Sequence, residues 1–139
     1  MKKNGFSLIE LMIAVTVVGI LAAIAIPSYS AYIKRANRTD ATRALAFTAQ
    51  ALERCYSQNF TYAAALCPAA AATPAPSSQG YYTITIVVAA GPPQTYSLTA
   101  VPVLAPQTGD TTCTSFTLDN TGLQGATPAG NTKTCWGSS

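Results

Sequence analysis

Glu10 is the one carboxylate in a run of apolar side chains that extends from Phe6 to Ile26. An acid in hydrocarbon costs about 2.5–3.5 kcal/mol at mid-membrane and less near an interface. A residue that costly asks for a cationic partner or the positive end of a helix. The other reactive groups are four cysteines, at 55, 67, 113 and 135, and no two of them form a C-x-x-C pair. A four-cysteine zinc site would want such close pairs. The chain has no histidine, so a histidine zinc site and any histidine-based dyad or triad are excluded. Two disulfides are the better reading, and they imply an oxidising compartment. Four cysteines allow three pairings. Paired carboxylates at useful spacing and a phosphate-cradling glycine loop are both missing. The chain reads as non-enzymatic, with no cofactor and no metal.

The elements that carry these residues can be read from periodicity. At about 1.5 Å per residue, Phe6 to Ile26 covers roughly 30 Å, the thickness of a bilayer hydrocarbon core. A secretory signal has an apolar region of about 7–15 residues ending at a small-x-small site. Here Ala22, Ala23 and Ala25 lie inside the run. Beyond Pro27 the pattern turns amphipathic, with Ile33, Ala41, Ala44, Leu45, Thr48, Leu52 and Cys55 on one broad face. Residues 6–54 are therefore expected as one helix, with 6–26 the span and 27–54 the amphipathic half. Lys34, Arg35, Arg38, Asp40 and Arg43 read as a solvated face. Pro27 removes a backbone donor and clashes with the carbonyl of Ala23, so it should kink or loosen the helix. Gly19 weakens it by about 1 kcal/mol relative to alanine.

One compact domain is the prior for 139 residues. The part from 55 to 139 is small, and small cores often need staples. Residues 56–79 contain Pro68, Pro74 and Pro76 among small residues, and are expected as a loop without a core element. Strand alternation follows: Tyr82, Ile84, Ile86 and Val88 on one face, then Tyr96, Leu98 and Ala100, then Phe116 and Leu118. Asp119-Asn120-Thr121-Gly122 reads as a hairpin turn with the glycine at positive φ, and a short strand over 123–126 can follow. The sheet is placed at 80–126 and a C-terminal loop at 127–139. The fold class is α+β: a long helix against an antiparallel sheet of three or four strands.

The N-terminal string K-K-N-G-F-S-L-I-E-L-M-I resembles the class III signal of type IV prepilins and their pseudopilin relatives. The resemblance implies that residues 1–5 are a leader carrying Lys2 and Lys3. A prepilin peptidase would cut between Gly5 and Phe6, and Phe6 would then be N-methylated. Glu10 stands four residues after the new amine. It could pair within its own helix, or neutralise the Phe6 amine of an incoming subunit, which is the role the resemblance implies. It further implies that Gly19 and Pro27 bound a stretch that melts when subunits leave the membrane, and that the fold is the type IV pilin fold. Neighbour pairing, Cys55–Cys67 and Cys113–Cys135, agrees with that family's disulfide-closed C-terminal region.

Lys2 and Lys3 favour a cytoplasmic N-terminus, whereas Lys34, Arg35, Arg38 and Arg43 favour the opposite. The disulfides and the resemblance decide for a periplasmic globular part, first anchored in the inner membrane and later on a surface pilus. The implied partners are other pilin subunits, the prepilin peptidase and methyltransferase, and an inner-membrane assembly platform. The function expected is a structural subunit, a minor pilin serving twitching motility, adhesion or DNA uptake. From Cys55 onward the chain resembles small disulfide-stapled minor pilins, a group that includes a DNA receptor of natural transformation. Nucleic acid as a partner finds little support in that region, where Lys133 faces Asp110 and Asp119 for a net charge of −1. Tyr56, Tyr62, Tyr81 and Trp136 could stack on bases, though packing is the commoner role. A type II secretion pseudopilin is the third reading, since it shares the N-terminal signal.

Overall fold

A computed structural model describes residues 7–63 and 65–137. Lys2, Lys3, Gly5 and Phe6 lie outside the described residues. The chain divides into two compact units, Met1–Ile33 and Lys34–Ser139, and one helix, α1 (Leu8–Asn59), contributes to both.

Among the described residues the first unit, from Leu8 onward, is helix alone. From Leu8 to Ile26 its large apolar side chains are exposed on every side, the pattern of a membrane span or of a helix covered by other helices. It is long and apolar enough to cross a membrane. The helix runs through Gly19 and Pro27 without interruption.

In the second unit α1 is followed by α2 (Pro68–Ala71), β1 (Ala75–Pro76), β2 (Tyr82–Ala89), β3 (Thr95–Pro102), a 3-10 turn (Gln107–Gly109), β4 (Ser115–Asp119), β5 (Gln124–Thr127) and α3 (Thr132–Trp136). The five strands form an antiparallel meander in the order β1-β2-β3-β4-β5. The expected alternation sets the register. Ile84 stands opposite Ala100 and Ile86 opposite Leu98, while Leu98 and Ala100 stand opposite Leu118 and Phe116. These side chains share a core with Ala41, Leu45, Leu52 and Cys55 of α1. Each fully buried Leu or Ile there contributes about 1.5–3 kcal/mol. The β4–β5 turn closes on Gly122 at φ +81°. The Asp119 carboxylate accepts from the backbone N–H groups of Thr121 and Leu123 at 2.9 and 3.0 Å.

Four boundaries differ from expectation, one of them at the C-terminus: 127–139, expected as a loop, carries the end of β5 and the helix α3, which the Cys113–Cys135 bond and the Trp136 indole fix in place. The sheet has five strands, because the short β1 adds to the edge of β2. The helix ends at Asn59 rather than at 54: the Asn59 amide donates to the Cys55 carbonyl at 3.2 Å, and Phe60, at φ +54°, turns the chain out of the helix. Residues 56–79 are not a bare loop, since they supply α2, β1 and buried Tyr62, Cys67, Ala70 and Ser77. Pro68 opens α2 at a position where a missing N–H costs nothing.

Cys55 is bonded to Cys67 and Cys113 to Cys135. The first ties the end of α1 to α2, and the second ties the approach to β4 to α3. Side chains also engage both sheet edges. The Thr73 hydroxyl accepts the Ile86 N–H at 3.0 Å beside β1. The Trp136 indole N–H donates to the Gly125 carbonyl at 2.8 Å on β5. Gly125 has no room for a Cβ against the Thr117 hydroxyl.

Candidate functional site

Two regions carry the charged groups that could meet a partner. The first is the start of α1. Glu10 sits in the first helical turn, exposed, with its N–H donating to the Ser7 carbonyl at 3.0 Å. Among the described residues its carboxylate has no ion-pair partner. Its expected partners, the Phe6 amine of its own or another chain, lie outside the described residues, as does the Gly5–Phe6 step.

The second is the basic half of α1 with the loops it holds. Not all of this stretch is solvated, contrary to expectation. Arg38 and Asp40 are buried. The Arg38 guanidinium grips Asp110 with two parallel bonds, Nε to Oδ2 at 2.7 Å and Nη2 to Oδ1 at 2.9 Å. A buried charge is expensive alone, and two-pronged pairing with further donors offsets that cost. Asp110 Oδ1 also accepts the N–H groups of Thr112 and Cys113. Burial pushes the Asp110 carboxyl upward, but the Arg38 bond and charge together with these amides outweigh it and hold it below the usual carboxylate range. Lys34 donates to the Gly109 carbonyl at 2.7 Å, and the Gln107 amide bridges the Lys34 carbonyl and the Tyr82 hydroxyl.

Asp40 is held from the other side of the helix. Its Oδ2 accepts the Ser77 hydroxyl at 2.5 Å and its Oδ1 the Gln79 N–H at 3.1 Å. Ser77 in turn accepts the Tyr82 N–H at 3.0 Å. Next to this cluster an open groove of about 550 Å³ runs past Arg43, Phe47, Gln50, Pro76 and Ser78. Arg43 is the charged group of its lining, and Phe47 is largely exposed.

The candidate base-stacking aromatics pack inward. Tyr56 stacks on Tyr62 at 4.5 Å, and Tyr62 meets Tyr96 edge-on at 5.0 Å. The Tyr62 hydroxyl donates to Glu53 at 3.1 Å. Burial first, then that bond to Glu53, pushes the phenol up to about 12. Trp136 is half-buried and edge-on to Phe116. The exposed bases of the second unit are Arg35, Arg43, Arg54 and Lys133. Counting charge only from Cys55 onward understates this unit, because α1 from Lys34 belongs to it. Between Lys34 and Arg54 bases outnumber acids by three, and beyond Cys55 acids outnumber bases by one, leaving a net charge of +2. Among the described residues no group of acids, cysteines or histidines could hold a metal ion.

Comparison with known proteins gives two family matches. A family described as type IV minor pilin ComP, DNA uptake sequence receptor, matches residues 27–117. The prokaryotic N-terminal methylation motif matches residues 1–26. The fimbrial protein EcpC of Eikenella corrodens is 38% identical over 88 residues, covering 63% of this chain and 56% of EcpC. The type IV major pilin protein PilE1 of Neisseria gonorrhoeae is 37% identical over 89 residues, 64% of this chain and 41% of PilE1. A fimbrial protein of Moraxella nonliquefaciens is 56% identical over 39 residues, 28% of this chain and 25% of its own. The chain spans about half the length of the first two relatives and a quarter of the third.

Proposed function

Because the chain belongs to the type IV minor pilin ComP family of DNA-uptake-sequence receptors, we propose that it is a minor pilus subunit that takes DNA as its ligand. The observation that carries this reading is the family match across residues 27–117, which includes the whole basic half of α1 and the sheet as far as Thr117. The electrostatics support a modest backbone contribution. If Arg35, Arg43, Arg54 and Lys133 each met a phosphate, log K would fall with log salt at a slope of about −3.6. So small a charge term leaves discrimination to base contacts and DNA shape. The Arg43–Phe47 groove, the Arg54 cleft beside Gln58 and Asn59, and the Lys133 segment each offer a base beside polar side chains.

The N-terminal half serves assembly in this proposal. Peptidase cleavage after Gly5 frees the Phe6 amine, which is then methylated and remains cationic. Glu10 of a subunit already in place neutralises that amine on the next one. In lipid that attraction is weakly screened, so it sets axial register. The apolar helix anchors the subunit in the inner membrane, with the disulfide-bearing unit in the periplasm, and later lies in the filament core. Melting between Gly19 and Pro27 would accompany that transfer. A secretion pseudopilin draws on the shared signal alone.

The test is binding of the full processed chain, in detergent micelles, to duplex DNA across a salt series. Retention at physiological salt with a slope no steeper than about −4 is expected. Failure to retain DNA even at low salt sinks the receptor reading. Mass spectrometry of sheared surface filaments tests assembly, with a methylated Phe6 terminus at trace abundance the expected result. An intact Met1 terminus in filaments overturns it.

A further inference from the structure

The segment that carries Lys133 is anchored from two directions, and one of them starts on α1. Lys133 is exposed on α3 and is the lone base after Arg54. Two residues on, Cys135 is bonded to Cys113. The Cys113 and Thr112 N–H groups donate to Asp110 Oδ1 at 3.3 and 3.1 Å. That same carboxylate is gripped by Arg38 at 2.7 and 2.9 Å. The Thr112 carbonyl then accepts the side-chain amide of Asn131, at the start of α3, at 2.9 Å. A guanidinium on the helix, a carboxylate, two amides and a disulfide thus form a continuous path to the one base of the C-terminal region.

The geometry points to Arg38 and Asp110 as positioning residues that set where Lys133 is presented to a DNA phosphate. This rests on the DNA-receptor reading. Neither residue can reach a ligand itself, since their side chains are 10% and 3% exposed. Asp110 commits its acceptors to Arg38 and to the loop leading to the disulfide. The opposite side of α3 is held independently by Trp136 on Gly125 and Phe116. Losing the Arg38 tether therefore loosens the loop that carries the disulfide, while the sheet still holds the other side of α3. A lysine on a loosened segment must be ordered on binding, which weakens its contribution.

The experiment is a double-mutant cycle in the full processed chain in micelles, with a random-sequence DNA duplex as probe. Arg38→Met with Asp110→Asn removes one positive and one negative charge, so net charge is unchanged, and the amide oxygen introduced by the second substitution can still accept the loop N–H groups. In the wild-type background Lys133→Ala should make the salt slope shallower by about one. In the doubly substituted background Lys133→Ala should shift the slope by clearly less than one, and the amides of 131–137 should exchange hydrogen faster. An equal Lys133→Ala effect in both backgrounds, with unchanged exchange, overturns the assignment. If wild type retains no DNA, the receptor reading fails, and exchange at 131–137 alone decides positioning: faster exchange supports it and unchanged exchange overturns it. Should the double variant not fold, Arg38→Lys supports the same comparison, since it keeps the charge and loses the two-pronged fit.

Discussion

Ser77→Ala should cost far more than loss of an ordinary surface hydroxyl. Ser77 is 5% exposed and stands between two buried groups. Its hydroxyl donates to Asp40 Oδ2 and accepts the Tyr82 N–H. Removing it leaves a carboxylate oxygen and a backbone donor without partners. Each orphaned buried group costs about 1–3 kcal/mol, more when charged, so the expected loss is about 3–4 kcal/mol. Domain stabilities are about 5–15 kcal/mol, so the loss is a large share of the whole. The assay is urea unfolding of the unit Lys34–Ser139, both disulfides intact, with the midpoint read at constant slope. Asp40→Ala alone and the Ser77→Ala/Asp40→Ala pair complete the cycle, and the pair should cost less than the two singles together. A Ser77→Ala loss below about 1 kcal/mol with additive behaviour would falsify the reasoning, because it would mean that water from the adjoining cleft replaces the hydroxyl without cost.

Other outcomes follow from the same contacts. Asp110 is held below its ordinary range in the folded state, so its contribution is fully present above the unfolded value of about 4 and is lost as pH falls through the lower, folded one. Acid unfolding should accordingly flatten in Asp110→Asn, and an unaltered acid limb in that variant would contradict this. Tyr62 has the opposite sign: its phenol is pushed up to about 12, so stability should decline as pH rises from about 10 toward that value. Buried Tyr82 and Tyr96 are pushed up as well, so Tyr62→Phe should lessen that decline rather than abolish it, read from urea midpoints across alkaline pH; an unchanged decline would contradict this. Replacing Cys113 and Cys135 together by serine should destabilise the unit by about 2–5 kcal/mol, measured by the same urea midpoint, and a shift under about 1 kcal/mol would show the loop closure to be dispensable. For assembly, Glu10→Ala should leave processing intact and abolish filament incorporation, while Gly5→Arg should block maturation. Normal incorporation of the first, or processed mobility of the second on gels, would refute these roles.

The sheet was legible because its signal is local. Alternation at Tyr82, Ile84 and Ile86 and again at Tyr96, Leu98 and Ala100 needs only neighbouring residues to be read, and the glycine of the Asp119–Gly122 turn identifies its own conformation. Arg38 and Asp40 were not legible as buried. On a helix wheel each falls among charges, and nothing nearby betrays a partner. Asp110 is 72 residues from Arg38, and Ser77 is 37 from Asp40. Their pairing exists only once helix and loops are brought together. The short α2 and β1 escaped for a related reason. A proline- and alanine-rich stretch carries no periodicity, and it is the Cys55–Cys67 bond and the edge of β2 that give it shape. The basic surface is undercounted when charge is summed along the chain rather than over the folded unit. Glu10 stands out in any reading, yet the partner proposed for it, the Phe6 amine, lies outside the described residues.

The side chains bonded to β2 and β5 bear on a hazard that a polymerising subunit, as proposed here, would face. Such a subunit can join others by its helices or, wrongly, by adding strand to strand into cross-β fibrils. On β2 the Ile86 N–H is already spoken for by the Thr73 hydroxyl, and on β5 the Gly125 carbonyl is taken by the Trp136 indole. An incoming strand would have to displace a side chain before forming its first backbone bond at either place. If the chain assembles as proposed, such protection would leave the helices as the easier route by which folded subunits meet.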